Sequence, residues 1–208
     1  MVVAKFDSAQ TTADNRKHWA NADGLSPNAA INPEVRRVLR NRARYEVANN
    51  SYAKGIVLTL ANDTIGTGPR LQMLTDDADA NARIEDAFEQ WSRAVDLPGK
   101  LRTMRLARAE SGEAFALLIN NPGIASAGSP VSLDLKLIEA DQVCTPLLRR
   151  GRNDEIDGIA LDQWGNPSAY RVLKRHPGDS GVFRTPIDDL TAYDTFPASS
   201  VVHYFRPD

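Results

Sequence analysis

The period of the hydrophobic pattern changes near Gly112, and that change limits the fold more than any other feature of the chain. Before it, apolar residues recur at three- and four-residue spacing; after it, they alternate. Helices followed by antiparallel strands is α+β ordering. The expected organisation is a polar N-terminal arm over residues 1–32, a mainly helical region over 33–112 and a mainly antiparallel β region over 113–208. The pattern contains no internal repeat.

The arm is rich in Ala, Asn, Asp, Ser and Thr, and such a segment orders only against something else. Trp19 is its one tryptophan and is read as an anchor on its own subunit or a neighbour. Asn32-Pro33 then supplies an N-cap and a first-turn proline, with Glu34 beside them. Val35, Val38 and Leu39 mark the expected buried side of this helix, with Arg36, Arg37, Arg40 and Arg44 opposite. Asn49-Asn50-Ser51 re-caps a second helix, Tyr52 to Asp63, which is apolar nearly all round and is expected to be buried. The Ile65-Gly-Thr-Gly-Pro69 stretch stops it, and Arg70 to Leu74 reads as a short strand. A third helix opens behind Asp76, Asp77 and Asp79, with a core stripe of Ile84, Ala87, Phe88, Trp91 and Val95. Leu97-Pro98-Gly99 reads as a turn, and a fourth helix runs from Leu101 to a C-cap at Ser111-Gly112.

Glu113 to Asn120 is the first expected strand. Leu133 to Ile138 alternates cleanly, so one of its faces should be wet. Gly158 to Asp162 and Ala169 to Lys174 flank a Gly-Asn turn as a hairpin, and Val201 to Phe205 is a final strand.

Composition removes several classes of function. Lys and Arg number 25 against 27 Asp and Glu, a net charge of −2, which argues against a wholly basic nucleic-acid coat. A single cysteine, Cys144, excludes an intrachain disulfide and any multi-cysteine zinc site. The longest apolar run, Gly55 to Ala61, is far below the ~20 residues that span a bilayer, and Met1 to Ala4 is no signal-peptide core. The expectation is a soluble intracellular chain with no membrane association.

No catalytic constellation stands out. His18, His176 and His203 have no metal-ligand partner on their own elements. Gly66-Thr67-Gly68 is too short to cradle a phosphate and is read as a helix stop. Glu139 and Asp141 could act as a carboxylate pair, but at a strand end carboxylates commonly organise turns. The arginine stripe is the one charge pattern with a partner to suggest. Arg36, Arg37, Arg40 and Arg44 are candidates for a subunit interface or for DNA, against the plainer reading of a solvated helix face. No catalytic residue, cofactor or metal is assigned.

Seven segments in order resemble the lambda-type portal proteins of tailed phages. They are Arg42-Ala-Arg-Tyr-Glu-Val-Ala-Asn-Asn-Ser-Tyr-Ala-Lys-Gly55, Ile65 to Gln72, Ser111-Gly-Glu-Ala-Phe115, Leu137-Ile-Glu-Ala-Asp-Gln142, Asp162 to Tyr170, His176-Pro-Gly-Asp179 and His203-Tyr-Phe-Arg-Pro207. The resemblance covers roughly residues 33–208. It implies a portal wing-like α+β domain of a structural, ring-shaped homo-oligomer, a dodecamer in the full-length family, at one vertex of the capsid. Double-stranded DNA would be packaged and ejected through that ring, with capsid protein and the ATP-hydrolysing terminase as partners. The location implied is the virion vertex, and the host cytoplasm during assembly. Family members continue into stem helices and a clip, so the chain is expected to be an N-terminal fragment, natural to a prophage or otherwise, and monomeric or weakly associated alone. The competing readings are a metal-dependent nuclease or hydrolase on Glu139 and Asp141, and a stand-alone DNA-binding module on the arginines.

Overall fold

A computed structural model describes residues 11–145, 155–179 and 190–206. The first ten residues of the arm, Pro207 of the last motif, Asp208, and residues 146–154 and 180–189 lie outside the described residues. The chain divides into two compact units, Met1–Arg36 and Arg37–Asp208.

In the first unit a single helical turn, α1 (Pro27–Ala30), is capped by Ser26, whose side chain accepts from the Ala29 amide. Trp19 packs edge-on against His18, with ring centroids 4.5 Å apart, and stays exposed. Asn32 Oδ1 accepts from the amides of Glu34 and Val35, both at 3.1 Å, and so starts α2 (Pro33–Asn49) as its sequence anticipates.

The second unit carries α3 (Ser51–Ile65), α4 (Ala78–Ala94) and α5 (Leu97–Ser111). Among the described residues seven strands follow: β1 (Ala114–Asn120), β2 (Leu133–Ile138), β3 (Glu155–Ile156), β4 (Ile159–Leu161), β5 (Pro167–Leu173), β6 (Tyr193–Pro197) and β7 (Val201–Tyr204). The strands form two antiparallel sheets, ordered β2-β1-β7 and β3-β4-β5-β6. The α+β ordering read from the period change is the observed one. No helix among the described residues is long and apolar enough to cross a membrane.

Strand β1 is buried on both faces over Ala114–Leu117, which explains the apolar run there; Leu118 is exposed. Ala114 and Ala116 face Val95, Leu97, Met104 and Leu135 on the helical side. Their small side chains let α5 approach closely. Phe115 and Leu117 point the other way, into Ile138, Val143, Tyr170 and Val172 beside the second sheet. An isolated bridge between Val143 and Val172, and the bond from Gln142 Nε2 to the Leu173 carbonyl at 3.0 Å, join the two sheets.

Several expectations need correction. Arg70 to Leu74 forms no strand; the Met73 amide is bound instead by Glu85 Oε1 at 2.7 Å. Leu97-Pro98-Gly99 is not a turn before α5 but its first turn, entered through Asp96 in the left-handed region. A Cβ on Gly68, at φ +95°, would lie 2.6 Å from Pro98 Cγ, so this glycine serves both the helix stop and the packing of α5. On α4, Phe88, Trp91 and Val95 reach the core and Trp91 Nε1 donates to the Leu133 carbonyl at 2.7 Å, but Ile84 remains exposed. The polar phase of β2 is not uniformly wet: Asp134 is buried because Lys100 and Asn121 Nδ2 bind its carboxylate.

Helix α3 departs most. It packs on α5 through one side, and among its residues only Ala61 is buried. Tyr52 is 84% exposed and Ile56 68%. The all-round apolar pattern does not report burial within this chain.

Candidate functional site

The chemistry-bearing residues of the second unit meet where α2 crosses the start of β1 and the end of β2. Arg40 is 7% exposed. Its Nη2 binds Glu113 Oε1, its Nε donates to the Ser111 carbonyl at 3.2 Å, and Nη1 lies 3.7 Å from Asp141 Oδ1. That carbonyl is at the C-terminal end of α5, where the helix dipole favours a cation. Arg44, one turn on, places Nη1 2.6 Å from Asp141 Oδ2 and donates from Nη2 to Ser111 Oγ at 3.0 Å. Ala43 and Val47, both half-buried, lie on the same side of α2, so two short apolar side chains accompany the arginines inward.

This corrects the orientation expected of α2 in part, since Val35 and Val38 are half-buried but Arg40 and Arg44 do not lie on a solvent side. Leu39 is 52% exposed while Arg40 is buried and Arg44 half-buried. The reason is electrostatic. Two carboxylates fixed by the sheet need cationic partners in a poorly hydrated site, and guanidinium can bind a carboxylate and a carbonyl together. Of the candidate interface arginines, Arg40 and Arg44 therefore bind this chain's own β-region. Arg36 is half-buried and Arg37 exposed.

Glu113 also accepts from His203, with Nε2 2.9 Å from Oε2. The imidazole is sandwiched between Phe115 and Phe205, each centroid 4.3 Å away. Its Nδ1 lies 3.4 Å from the Tyr170 hydroxyl. Burial, and next the charge of Glu113, raise the Tyr170 pKa, which keeps its phenol proton in place. For Asp141, burial pushes the carboxyl up, but the Arg44 hydrogen bond and the charges of Arg44 and Arg40 outweigh it and hold it below the ordinary value.

His176 completes the cluster, and no spacing on its own element could have placed it there. Its Nε2 lies 3.5 Å from Glu139 Oε2 and 3.6 Å from Asp141 Oδ2. Ligand atoms of these three residues fall within 4.8 Å of one another, a separation at which a cation could be gathered. The donor chemistry is unfavourable. The Gly178 amide donates to Nδ1 of His176 at 3.0 Å, so the ring proton sits on Nε2, facing the carboxylates. A metal on Nε2 would have to displace the only proton of a neutral ring, whereas a ligating histidine normally keeps a proton on its other nitrogen. Asp141 is moreover already paired with two guanidiniums.

Glu139 and Asp141 lie at a short turn, with the Asp141 carboxylate bound by Arg44 and Arg40 rather than by turn amides. The Glu139 amide donates to Gln142 Oε1 at 3.3 Å, closing the short turn Ala140–Gln142 after β2. Asp162 is the turn-forming carboxylate, accepting in the β4–β5 hairpin from the amides of Trp164 at 2.9 Å and Asn166 at 2.8 Å.

The site defines a class first: an α+β structural module in which a buried charge cluster fastens a helix to a sheet. The segments that meet in it are those by which the sequence resembles the portal proteins: Arg44, Ser111 with Glu113, Glu139 with Asp141, Tyr170, His176 and His203. The profile of the phage portal proteins of the lambda family matches residues 13–208, and the chain belongs to that family. A probable portal protein of Halomonas phage phiHAP-1 is 29% identical over 220 residues, covering 97% of this chain and 40% of that protein. The chain thus spans about two fifths of the length of this curated relative.

Proposed function

We propose that this chain is the N-terminal, wing-like part of a portal: a structural ring of identical subunits at one capsid vertex through which double-stranded DNA enters and leaves. Membership of the lambda portal family over residues 13–208 is the observation that carries the reading. The charge cluster supports it as a structural rather than catalytic device, since Glu113 and Asp141 are matched by guanidiniums, His203 is held by Glu113, and the Gly178 amide binds His176 Nδ1. Capsid protein and the packaging terminase are the partners proposed for the longer protein, and the ATP hydrolysis belongs to the terminase. The interface or DNA role first read for four arginines is proposed for Arg36, which is half-buried, and Arg37, which is exposed.

Catalytic inertness is the direct test. The wild-type chain incubated with DNA and Mg²⁺ or Mn²⁺ should produce no cleavage, and Glu139→Gln with Asp141→Asn should change nothing. Metal-dependent cleavage lost in that double variant would overturn the structural reading in favour of the nuclease. Ring assembly is tested by electron microscopy of the longer gene product.

A further inference from the structure

We propose that the turn from His176 to Asp179 is a proton-operated strap. Neutral His176 holds the turn closed through the Gly178 amide; protonated His176 releases that amide and closes on Glu139 and Asp141. The inference is independent of the portal reading.

The ring is engaged at one end and poised at the other. Its Nδ1 accepts from the Gly178 amide at 3.0 Å, and the Asp179 amide donates to the His176 carbonyl at 3.1 Å. A Cβ on Gly178 would lie 3.0 Å from both Nδ1 and Cε1, so the turn is wrapped directly on the imidazole. At the other end Nε2 is enclosed and has no hydrogen-bond partner among the described residues. Glu139 Oε2 and Asp141 Oδ2 stand 3.5 and 3.6 Å away, beyond the roughly 2.7–2.9 Å at which a cationic N–H binds a carboxylate.

In the neutral ring Nε2 already carries the proton, so a second proton enters at Nδ1. That converts the acceptor facing the Gly178 N–H into a donor, and the turn loses its hydrogen bond. The same charge strengthens Nε2–H as a donor to the two carboxylates. Asp141 is shared with Arg44 and Arg40 from α2, so Glu139, on the turn after β2, supplies the larger part of the counter-charge. Arg175 and Asp179, the charged neighbours on the strap itself, are exposed and opposite in sign. The loss at one nitrogen opposes the gain at the other. Protonation therefore reshapes the turn and leaves global stability nearly level.

Heteronuclear NMR of the imidazole nitrogens and the Gly178 amide, from about pH 8 to about pH 5.5, is the test. This range spans histidine and lies above ordinary carboxylates. At its upper end the His176 proton is expected on Nε2. As the ring takes its second proton, the Gly178 resonance should move with the same midpoint. Hydrogen exchange at that amide, corrected for its intrinsic pH dependence, should rise roughly fivefold. His176→Asn keeps a side-chain acceptor for Gly178 but takes no proton, so its Gly178 amide should ignore pH over this range. Glu139→Gln removes the counter-charge and should move the response to lower pH. Unchanged circular dichroism would show that both variants fold. A proton on Nδ1 at the upper end, a Gly178 amide indifferent to the ring's titration, or the same response in His176→Asn overturns the strap. A response that Glu139→Gln leaves in place overturns the closing step.

Discussion

Helices α2 and α3 follow one another with only Asn50 between them, and they invert the usual relation of polarity to burial. α2 turns arginines inward and leaves Leu39 and Tyr45 in solvent; α3 is rich in apolar residues and buries only Ala61. Partners explain the difference. Glu113 and Asp141, fixed by the sheet, give the inner face of α2 cationic sites to fill. The outer face of α3 stays exposed among the described residues. Burial of a helix face is decided by what lies opposite it, and hydropathy is only one way of matching that surface.

The largest expected effect comes from breaking the cluster. Glu113→Ala leaves Arg40 and His203 in a buried site without their shared carboxylate, and should cost about 3–5 kcal/mol in denaturant unfolding. A loss below about 1 kcal/mol would mean the cluster is incidental to the fold. Next, Trp91→Ala removes a half-buried indole and its bond to the Leu133 carbonyl, and should cost about 3 kcal/mol.

Acid should sharpen the same contrast. Asp141 and Asp134 are both held below their ordinary value in the folded protein, in each case against the opposing effect of burial: Asp141 by Arg44 and Arg40, and Asp134 mainly by hydrogen bonds from Lys100 and Asn121. A depressed carboxylate contributes its full stabilisation above the unfolded value of about 3.9 and loses it as pH falls through the folded one. Stability should therefore be flat from neutrality to about pH 5 and decline below it. Arg44→Ala should shallow that decline, and an unchanged slope would remove Arg44 from the account. The smallest effect is expected at Trp164, 76% exposed at the tip of the β4–β5 hairpin, where Trp164→Ala should cost under about 1 kcal/mol.

Local physics was legible in the sequence. The Asn32 cap, the Gly112 stop, β1, β2 and the hairpin follow from capping chemistry, positive φ and alternation, all of which act over a few residues. The cluster was not. Arg40 and Glu113 are 73 residues apart, and helical periodicity carries no record of a carboxylate that distant. His176 joins Asp141 only because the Val143–Val172 bridge brings β5 alongside the end of β2. Strands β3 and β6 escaped because Glu155-Ile156 is two residues long and Tyr193–Pro197 ends in a proline. The resemblance fared better because most of its segments contribute residues that meet in space, although Arg40 lies outside them.

The central claim is that α2 is fastened through its charges while the outer face of α3 is a surface. Chemical denaturation of Arg40→Ala and Ile56→Glu side by side, at a concentration where the chain is monomeric, tests it most directly. The account predicts that Arg40→Ala loses about 3–5 kcal/mol and Ile56→Glu stays within about 0.5 kcal/mol of the parent. The reverse order, with the isoleucine substitution the more damaging, would contradict it.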